Sequence, residues 1–415
     1  MHRSHVLLLG VLCGPVGCTG RGSAGEPEAR AVQEAVRPGI EVLLGDSAHL
    51  VRDRRVGLVT NQSGIDASGV SDVVRLRAAG VRLVALFSPE HGFRGAADPG
   101  AAVASSVDSA TGLPIYSLYG RTSAPTDQML TGIDVLLVDL QDAGARYYTY
   151  ITTTVDVMRA AAGKGIPVVV LDRPDPIGGA VQGNVLEEAH ISAVGRLRVP
   201  MRHGLTLGEM ARLARTDLGI GGDLTVVPVR GWSRALAFDQ TGLPFVPPSP
   251  NLRTLESLYH YPGTCLFEGT NLSVGRGSDA PFEQIGAPWL DTAVVVSAIR
   301  NARLPGVRVR SVSFTPNHPG DGKYQDTLLA GVRLEVTDRR VYDPTVTAVH
   351  LLTAIRRRHP TEFGWIPNHF DRLAGTTGLR EAIEAGLDPG VIVRGWETDR
   401  RRYLERRRAV LLYPE

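Results

Sequence analysis

The chain has 415 residues, 43% of them hydrophobic, enough for one or two sizeable cores. Its 45 basic and 43 acidic residues nearly cancel, and a formal charge of +2 gives no global electrostatic argument for nucleic acid or for an acidic polymer. All the basic residues except Lys164 and Lys323 are Arg, and the run Arg400-Arg401-Arg402 reads as a solvated helix face rather than a polyanion site.

At the N-terminus, Arg3 precedes an apolar run, Val6 to Leu12, followed by small residues and Cys18. That is the layout of a secretory signal, and the run is too short to anchor stably across a bilayer. Gly17-Cys18 resembles the end of a bacterial lipoprotein signal, although Pro15 stands where that pattern has Leu. The expectation is an exported chain, periplasmic or extracellular, with residues 1–18 as signal and 19–36 as a flexible polar tether. A lipid on Cys18 would be its one link to a membrane. Cys265 is then the single cysteine of the folded part, which leaves neither an intramolecular disulfide nor a Cys-based metal site.

Four segments share one pattern, a short apolar, β-branched run ending in polar residues. They are Val56 to Thr60 before Asn61-Gln62, Val81 to Phe87 before Ser88-Pro89-Glu90-His91, Val135 to Val138 before Asp139-Leu140-Gln141-Asp142, and Pro167 to Leu171 before Asp172-Arg173. Continuous runs of this length predict strands buried on both faces, hence a parallel sheet. Helical periodicity lies between them at Val70 to Ala79 and Ile151 to Ala162, with Gly80 and Gly163 as stops. A helix at Leu207 to Leu218 and a strand at Leu224 to Val229 extend the alternation. The fold class is therefore α/β, a Rossmann-like, doubly wound, mostly parallel sheet, over residues 37–254.

Pro-rich Pro244 to Pro250 marks a change of domain. Beyond it, Val307 to Phe314 and Gly331 to Val336 predict strands and Thr347 to Arg357 a helix, so residues 255–415 are expected to form a smaller α+β auxiliary domain.

Ligands of open parallel sheets bind beyond the carboxyl ends of the strands. Asn61, Glu90, Asp139, Gln141, Asp142 and Arg173 follow strand ends and are expected on one rim. No Gly-x-Gly-x-x-Gly follows the first strand, and there is no Walker loop, Gly-x-Ser-x-Gly elbow or His-Glu-x-x-His helix. No cofactor and no metal is expected. Glu90 leads the candidates: a carboxyl at the mouth of an apolar strand is partly desolvated, which favours the protonated form a general acid needs. A loop-bracing Glu is the competing structural reading. His91 reads as a supporting, hydrogen-bonded residue.

The segment Asp139 to Tyr150 is dense in polar and aromatic groups. Arg146 is close enough to pair with a carboxylate, and Tyr147 and Tyr148 offer flat faces of the kind a sugar ring packs on. A brace holding the turn is the competing reading there too. Tyr261 to Gly277 has the same character, with Glu268, Asn271 and Arg276 as candidates for a second cleft wall, followed by Glu283.

Gly57-Leu58-Val59-Thr60-Asn61-Gln62, Phe87-Ser88-Pro89-Glu90-His91-Gly92-Phe93-Arg94-Gly95, Leu118-Tyr119-Gly120, the Asp139 to Tyr150 segment, Pro248-Ser249-Pro250-Asn251 and the Phe267 to Gly277 segment together resemble the bacterial exo-β-N-acetylmuramidase family. The resemblance runs from about Ile40 to Pro414. It implies a Rossmann-like domain, a C-terminal auxiliary domain and an active cleft between them. It implies release of N-acetylmuramic acid from the non-reducing end of peptidoglycan fragments, with MurNAc-GlcNAc oligosaccharides as substrate. It also implies that Glu90, in the Pro-Glu-His-Gly motif, is catalytic.

Glycoside hydrolysis needs an acid for the leaving oxygen and a group that stabilises an oxocarbenium-like transition state. With Glu90 as the acid, the second role falls to Asp139, Asp142, Glu268 or the substrate's own 2-acetamido group. The lactyl carboxylate calls for a cation from Arg146, Arg173 or Arg276. Two other readings stay open on the residues alone: a non-catalytic muropeptide-binding lipoprotein and a metal-dependent amidase or esterase.

Overall fold

The apolar runs of the first half become parallel strands in the computed structural model, which describes Gly10 and residues 34–415. The expected signal segment, with Cys18, and most of the tether lie outside the described residues. The strands are β1 (Arg55–Thr60), β2 (Arg82–Ser88), β3 (Ser106–Val107), β4 (Pro114–Ser117), β5 (Val135–Asp139), β6 (Val168–Leu171), β7 (Gln182–Val185), β8 (Pro200–Arg202) and β9 (Leu224–Val227). Seven form one sheet in the order β3-β4-β2-β1-β5-β6-β9, and β7 pairs with β8 separately. Every pairing in the large sheet is parallel except β3 with β4. β5 is buried at all five positions, as expected of a strand covered on both faces.

Helices α1 (Gly39–Asp46), α2 (Asp72–Ala78), α3 (Tyr150–Ala162) and α4 (Leu207–Asp217) accompany these strands. The apolar stripe expected on α2 is narrower than its sequence pattern: Val73 and Leu76 are buried, whereas Val74 is 56% exposed. Gly80 stops its helix in the left-handed region (φ +75°). Gly163 does not. It keeps right-handed helical geometry as the C-cap of α3, and the left-handed turn falls at Gly165.

The tether also ends sooner than expected. Val36 is buried, packed with Val229, Trp232 and Tyr413.

The second half carries β10 (Gln284–Ala287), β11 (Val307–Phe314) and β12 (Leu329–Val336), an antiparallel sheet in the order β10-β12-β11. Helices α5 (Leu255–Thr264), α6 (Thr292–Ala302), α7 (Pro344–Arg358) and α8 (Pro367–Ala374) surround it. Residues Glu34–Glu415 form one compact unit, and a single apolar core runs from Val59 through Phe282 to Val410, so the two halves share buried surface. The chain end returns to the first half, where the Tyr413 hydroxyl donates to Asp172 at 2.6 Å. Among the described residues no helix is long and apolar enough to cross a membrane.

The chain moves from β1 to β2 and outward on one side, then returns to β5 on the other side of β1. The crevice between β1 and β5 is therefore the switch point where such sheets usually bind ligands. Here it is filled by protein. Asn61 donates to the Tyr150 hydroxyl at 2.6 Å, and that hydroxyl donates to the Pro248 carbonyl at 2.9 Å. Filling the switch point leaves the carboxyl end of β2 as the open part of the rim.

Candidate active site

Glu90 follows β2 directly and lines a cavity of about 130 Å³ between the two halves of the chain. Both of its oxygens are held. Oε1 accepts from the Gly100 amide at 3.0 Å, and Oε2 accepts from the Thr149 hydroxyl at 2.6 Å. Tyr119 adds a third contact: burial first, then the charge and hydrogen bond of Glu90, push its phenol up to about 12. Glu90 has no cationic partner among the described residues.

The loop that positions Glu90 is tightly folded. His91 is a non-glycine residue in the left-handed region (φ +69°), a strained conformation that clusters at functional sites. Its Nδ1 lies 2.8 Å from the Ala97 carbonyl, and the Ala97 amide donates back to the His91 carbonyl at 3.1 Å. A carbonyl can only accept, so His91 carries its proton on Nδ1 and presents Nε2 as an acceptor. Burial lowers its pKa despite the charge of Glu90, which keeps the ring neutral. Gly95 (φ +68°) lets the loop press on Gln62; a Cβ there would stand 2.1 Å from the Gln62 amide carbon.

The opposite wall comes from the second half. Glu268 Oε1 accepts from Arg276 Nε at 2.7 Å and lies 2.6 Å from its Nη2. The Arg276 guanidinium stands 4.9 Å over the Phe282 ring, and its Nη1 is buried without a partner. Phe282 is a second left-handed non-glycine residue (φ +64°) at the same cavity. The floor is aromatic. Tyr261 meets Phe282, Tyr147 and Tyr148 edge-on at centroid distances of 4.9, 5.6 and 6.2 Å. Burial holds Tyr147, Tyr148 and Tyr261 well above the ordinary phenol range, so they act as neutral surfaces. Burial, reinforced by Glu268, likewise raises the Cys265 thiol, which is no nucleophile in this state.

Of the residues proposed from sequence, the structure brings Glu90, His91, Tyr147, Tyr148, Glu268 and Arg276 to this cavity. It places the others elsewhere. Asp139 is fully buried in an ion pair with Arg173, at 2.5 and 3.1 Å, and Arg173 also donates to the Ile65 carbonyl. Asp142 accepts from the Gly144 amide and stands 3.3 Å from His203 Nε2, behind the site. Arg146 directs its guanidinium at the carbonyls of Asn184, Val199, Leu373 and Ala374, so it braces chain segments rather than presenting a charge to a ligand. Asn61 holds Tyr150. Gln141 donates to the Asp142 and Pro174 carbonyls. Asn271 exchanges hydrogen bonds with Glu362 and Gly364. Glu283 binds Thr254 and Arg333. Each is engaged by protein groups away from the cavity, although Asp142 Oδ1 and Arg146 Nε are buried without a partner. The rim rule finds residues near strand ends but cannot see which ends the protein itself covers.

Thr149, Tyr119, Tyr261, Phe282 and His369 line the cavity and were not among the proposed residues. Thr149, Tyr261 and Phe282 sit inside or beside segments conspicuous for their polar and aromatic density, and Tyr119 lies in the Leu118-Tyr119-Gly120 motif of the family resemblance. His369, on α8, has no such signal, because only the fold carries it to the cavity.

Two larger clefts, of about 700 and 890 Å³, lie elsewhere. The first is lined by a single acid, Asp217. In the second, Asp239 and Asp338 pair with Arg339 and Arg340 at 2.8 Å, and Asp338 is drawn down to about 2 by its Arg340 hydrogen bonds. The third acid there, Glu256, accepts from the Val336 amide at 2.9 Å and faces His260 at 3.7 Å, and neither cleft has the several packed rings of the Glu90 cavity.

The family model described as exo-β-N-acetylmuramidase NamZ, N-terminal, matches residues 56–256, and its C-terminal counterpart matches residues 259–413. The chain belongs to the NamZ exo-β-N-acetylmuramidase family. It is 42% identical over 386 residues to a protein of Bacillus subtilis named peptidoglycan β-N-acetylmuramidase NamZ, covering 92% of each chain. Two crystal structures of DUF1343 family proteins from Bacteroides fragilis share the fold. One has a TM-score of 0.83 at 33% identity, covering 91% of this chain and 99% of that one. The other has a TM-score of 0.76 at 31% identity, covering 92% and 99%. The NamZ family thus carries the α/β sheet and the C-terminal region described above.

Proposed function

We propose that this chain is an exo-acting β-N-acetylmuramidase that releases N-acetylmuramic acid from the non-reducing end of peptidoglycan fragments. The observation that carries the reading is Glu90: the family's Pro-Glu-His-Gly acid, without a cationic partner, in an aromatic-floored cavity. Glu90 protonates the leaving glycosidic oxygen. Among the described residues lining the cavity, Glu268 is the one other carboxylate, and it stabilises positive charge developing on the sugar. The tyrosine floor and Phe282 take the apolar face of the ring. A cavity of only about 130 Å³ suits one terminal residue better than the middle of a strand, which supports exo action.

A non-catalytic muropeptide receptor is disfavoured by the high similarity to a protein named as an enzyme. Incubating the protein with a MurNAc-GlcNAc disaccharide and separating the products tests the reading. Free N-acetylmuramic acid is expected, and binding without sugar release contradicts it.

The reading extends to location. Arg3, the apolar run to Leu12 and Cys18 support export, with Cys18 as a site of lipid attachment. Mass spectrometry of the mature N-terminus is expected to find a chain beginning at Cys18, and an unprocessed Met1 contradicts export.

A further inference from the structure

Two imidazoles line the cavity, and they are fixed in opposite tautomers. His91 donates through Nδ1 and offers the Nε2 lone pair. His369 Nδ1 lies 2.7 Å from Arg372 Nη2. A guanidinium has donors only, so this Nδ1 accepts and the proton of the neutral ring sits on Nε2. His369 Nε2 has no partner among the described residues, and it is not among the buried, unpartnered atoms. It is therefore an accessible N–H donor whose tautomer is fixed from behind by Arg372. Burial first, then the charges of Arg372 and Lys323, lower the pKa of His369 against the pull of Glu268.

The wall around His369 is cationic. Arg276 shares one oxygen of Glu268 and keeps Nη1 buried without an acceptor, an arrangement that favours binding of one. Lys323 donates to the carbonyls of Glu268, Thr270 and Leu272 at 3.0, 2.7 and 3.1 Å, and these leave its charge in place. Arg372 has no carboxylate within ion-pair distance among the described residues. Against these three cations stand Glu268 and the nearby Asp321, whose charges both act on Arg276. Glu90 lines the same cavity from the other half of the chain, so the seat is set by where the donors point and not by net charge.

We infer that His369 Nε2–H and Arg276 Nη1 together form the seat of a carboxylate substituent on the bound sugar, so that this wall separates carboxylate-bearing amino sugars from their uncharged counterparts. The inference rests on the cavity being the terminal-sugar site. Two convergent donors, one of them a guanidinium nitrogen without an acceptor, favour an anionic oxygen pair over a neutral hydroxyl or amide. Arg372 is a positioning residue, since it acts by holding His369 in the donating tautomer.

The test is the affinity of the full chain for N-acetylmuramic acid and for its methyl ester, measured by calorimetry at neutral pH. The wild type is expected to favour the acid by roughly tenfold or more, the scale of one charge-assisted hydrogen bond. His369→Phe is expected to remove most of that preference. His369→Gln, which keeps a donor, restores part of it, and Arg372→Ala reduces it by a smaller factor. Arg276→Gln is expected to act in the same direction. Because it also strips Glu268 of its partner, the His369 and Arg372 variants carry the test if that protein does not fold. Equal affinity of the wild type for acid and ester, or an undiminished preference in His369→Phe, overturns the inference. Absence of sugar release with the acid preference intact would instead fail the proposed reaction and leave this seat standing.

Discussion

Thr149 is the N-cap residue of α3, yet its hydroxyl caps nothing: it donates to Glu90 Oε2 at 2.6 Å. Threonine at this position ordinarily accepts from an amide of the first helical turn. Here the hydroxyl ties the start of α3 to the loop after β2. The arrangement predicts a clean separation of effects. Thr149→Val is expected to lower kcat by about tenfold or more, with the melting temperature close to wild type, because no cap is lost. Thr149→Ser, which keeps the hydroxyl, should retain most of the activity. A variant that melts early but turns over normally would show that the hydroxyl is structural.

Glu268 and Arg276 give the second prediction. Replacing Glu268 by Gln keeps the shape and one acceptor but removes the negative charge from the wall facing the sugar. Turnover of an unactivated disaccharide is expected to fall by about a hundredfold. Near-wild-type kcat in a folded Glu268→Gln protein would remove Glu268 from the mechanism and return the stabilising role to the substrate's own acetamido group.

Asp139 and Arg173 give a prediction of the opposite kind. Both are buried, and removing one partner strands the other charge in the core. Asp139→Ala is expected to cost about 3–5 kcal/mol in urea unfolding. The protein that remains folded should turn over at close to the wild-type rate. Loss of kcat without loss of stability would contradict the placement of this pair outside the site.

Asp175 sets a pH dependence of stability. Burial pushes its carboxyl up to about 7, the charge of His203 opposes the shift, and Oδ2 has no partner. An unfolded Asp titrates near 3.9. Between about pH 4 and pH 7 the folded state therefore binds more protons than the unfolded state, and this group makes stability fall as pH rises through that window. Asp175→Asn keeps the Oδ1 acceptor used by the Ile177 amide and removes the titration. The variant should gain on the wild type progressively from pH 4 to 7, by on the order of 1 kcal/mol or more, and hold that gain above pH 7. Parallel stability curves for the two proteins would contradict it.

Much of this molecule can be read from its residues. β1, β2, β5 and β6 are continuous apolar runs, and such runs have few alternatives to a buried parallel sheet. Glu90 is legible for the same reason, since it follows one of them. Asn61, Asp139 and Gln141 look equivalent by that rule, but Tyr150, Pro248 and Arg173 cover their strand ends. Such cover is a property of tertiary packing and leaves no local mark. His369 illustrates the converse: nothing around it in sequence marks a site, and α8 delivers it across more than two hundred residues. The helix α5 was hidden by Pro262, which lies inside it.

Glu90 supplies the proton that releases a terminal N-acetylmuramic acid in the proposed reaction. Its most direct test is the rate of free N-acetylmuramic acid formation from a MurNAc-GlcNAc disaccharide, followed by chromatography, for the wild type and Glu90→Gln side by side. Gln keeps the side-chain volume and an acceptor for the Gly100 amide or the Thr149 hydroxyl, so the fold should be retained. Steady release is expected from the wild type, with a loss of about two to four orders of magnitude in the folded variant. Release by Glu90→Gln at a rate near that of the wild type would contradict it.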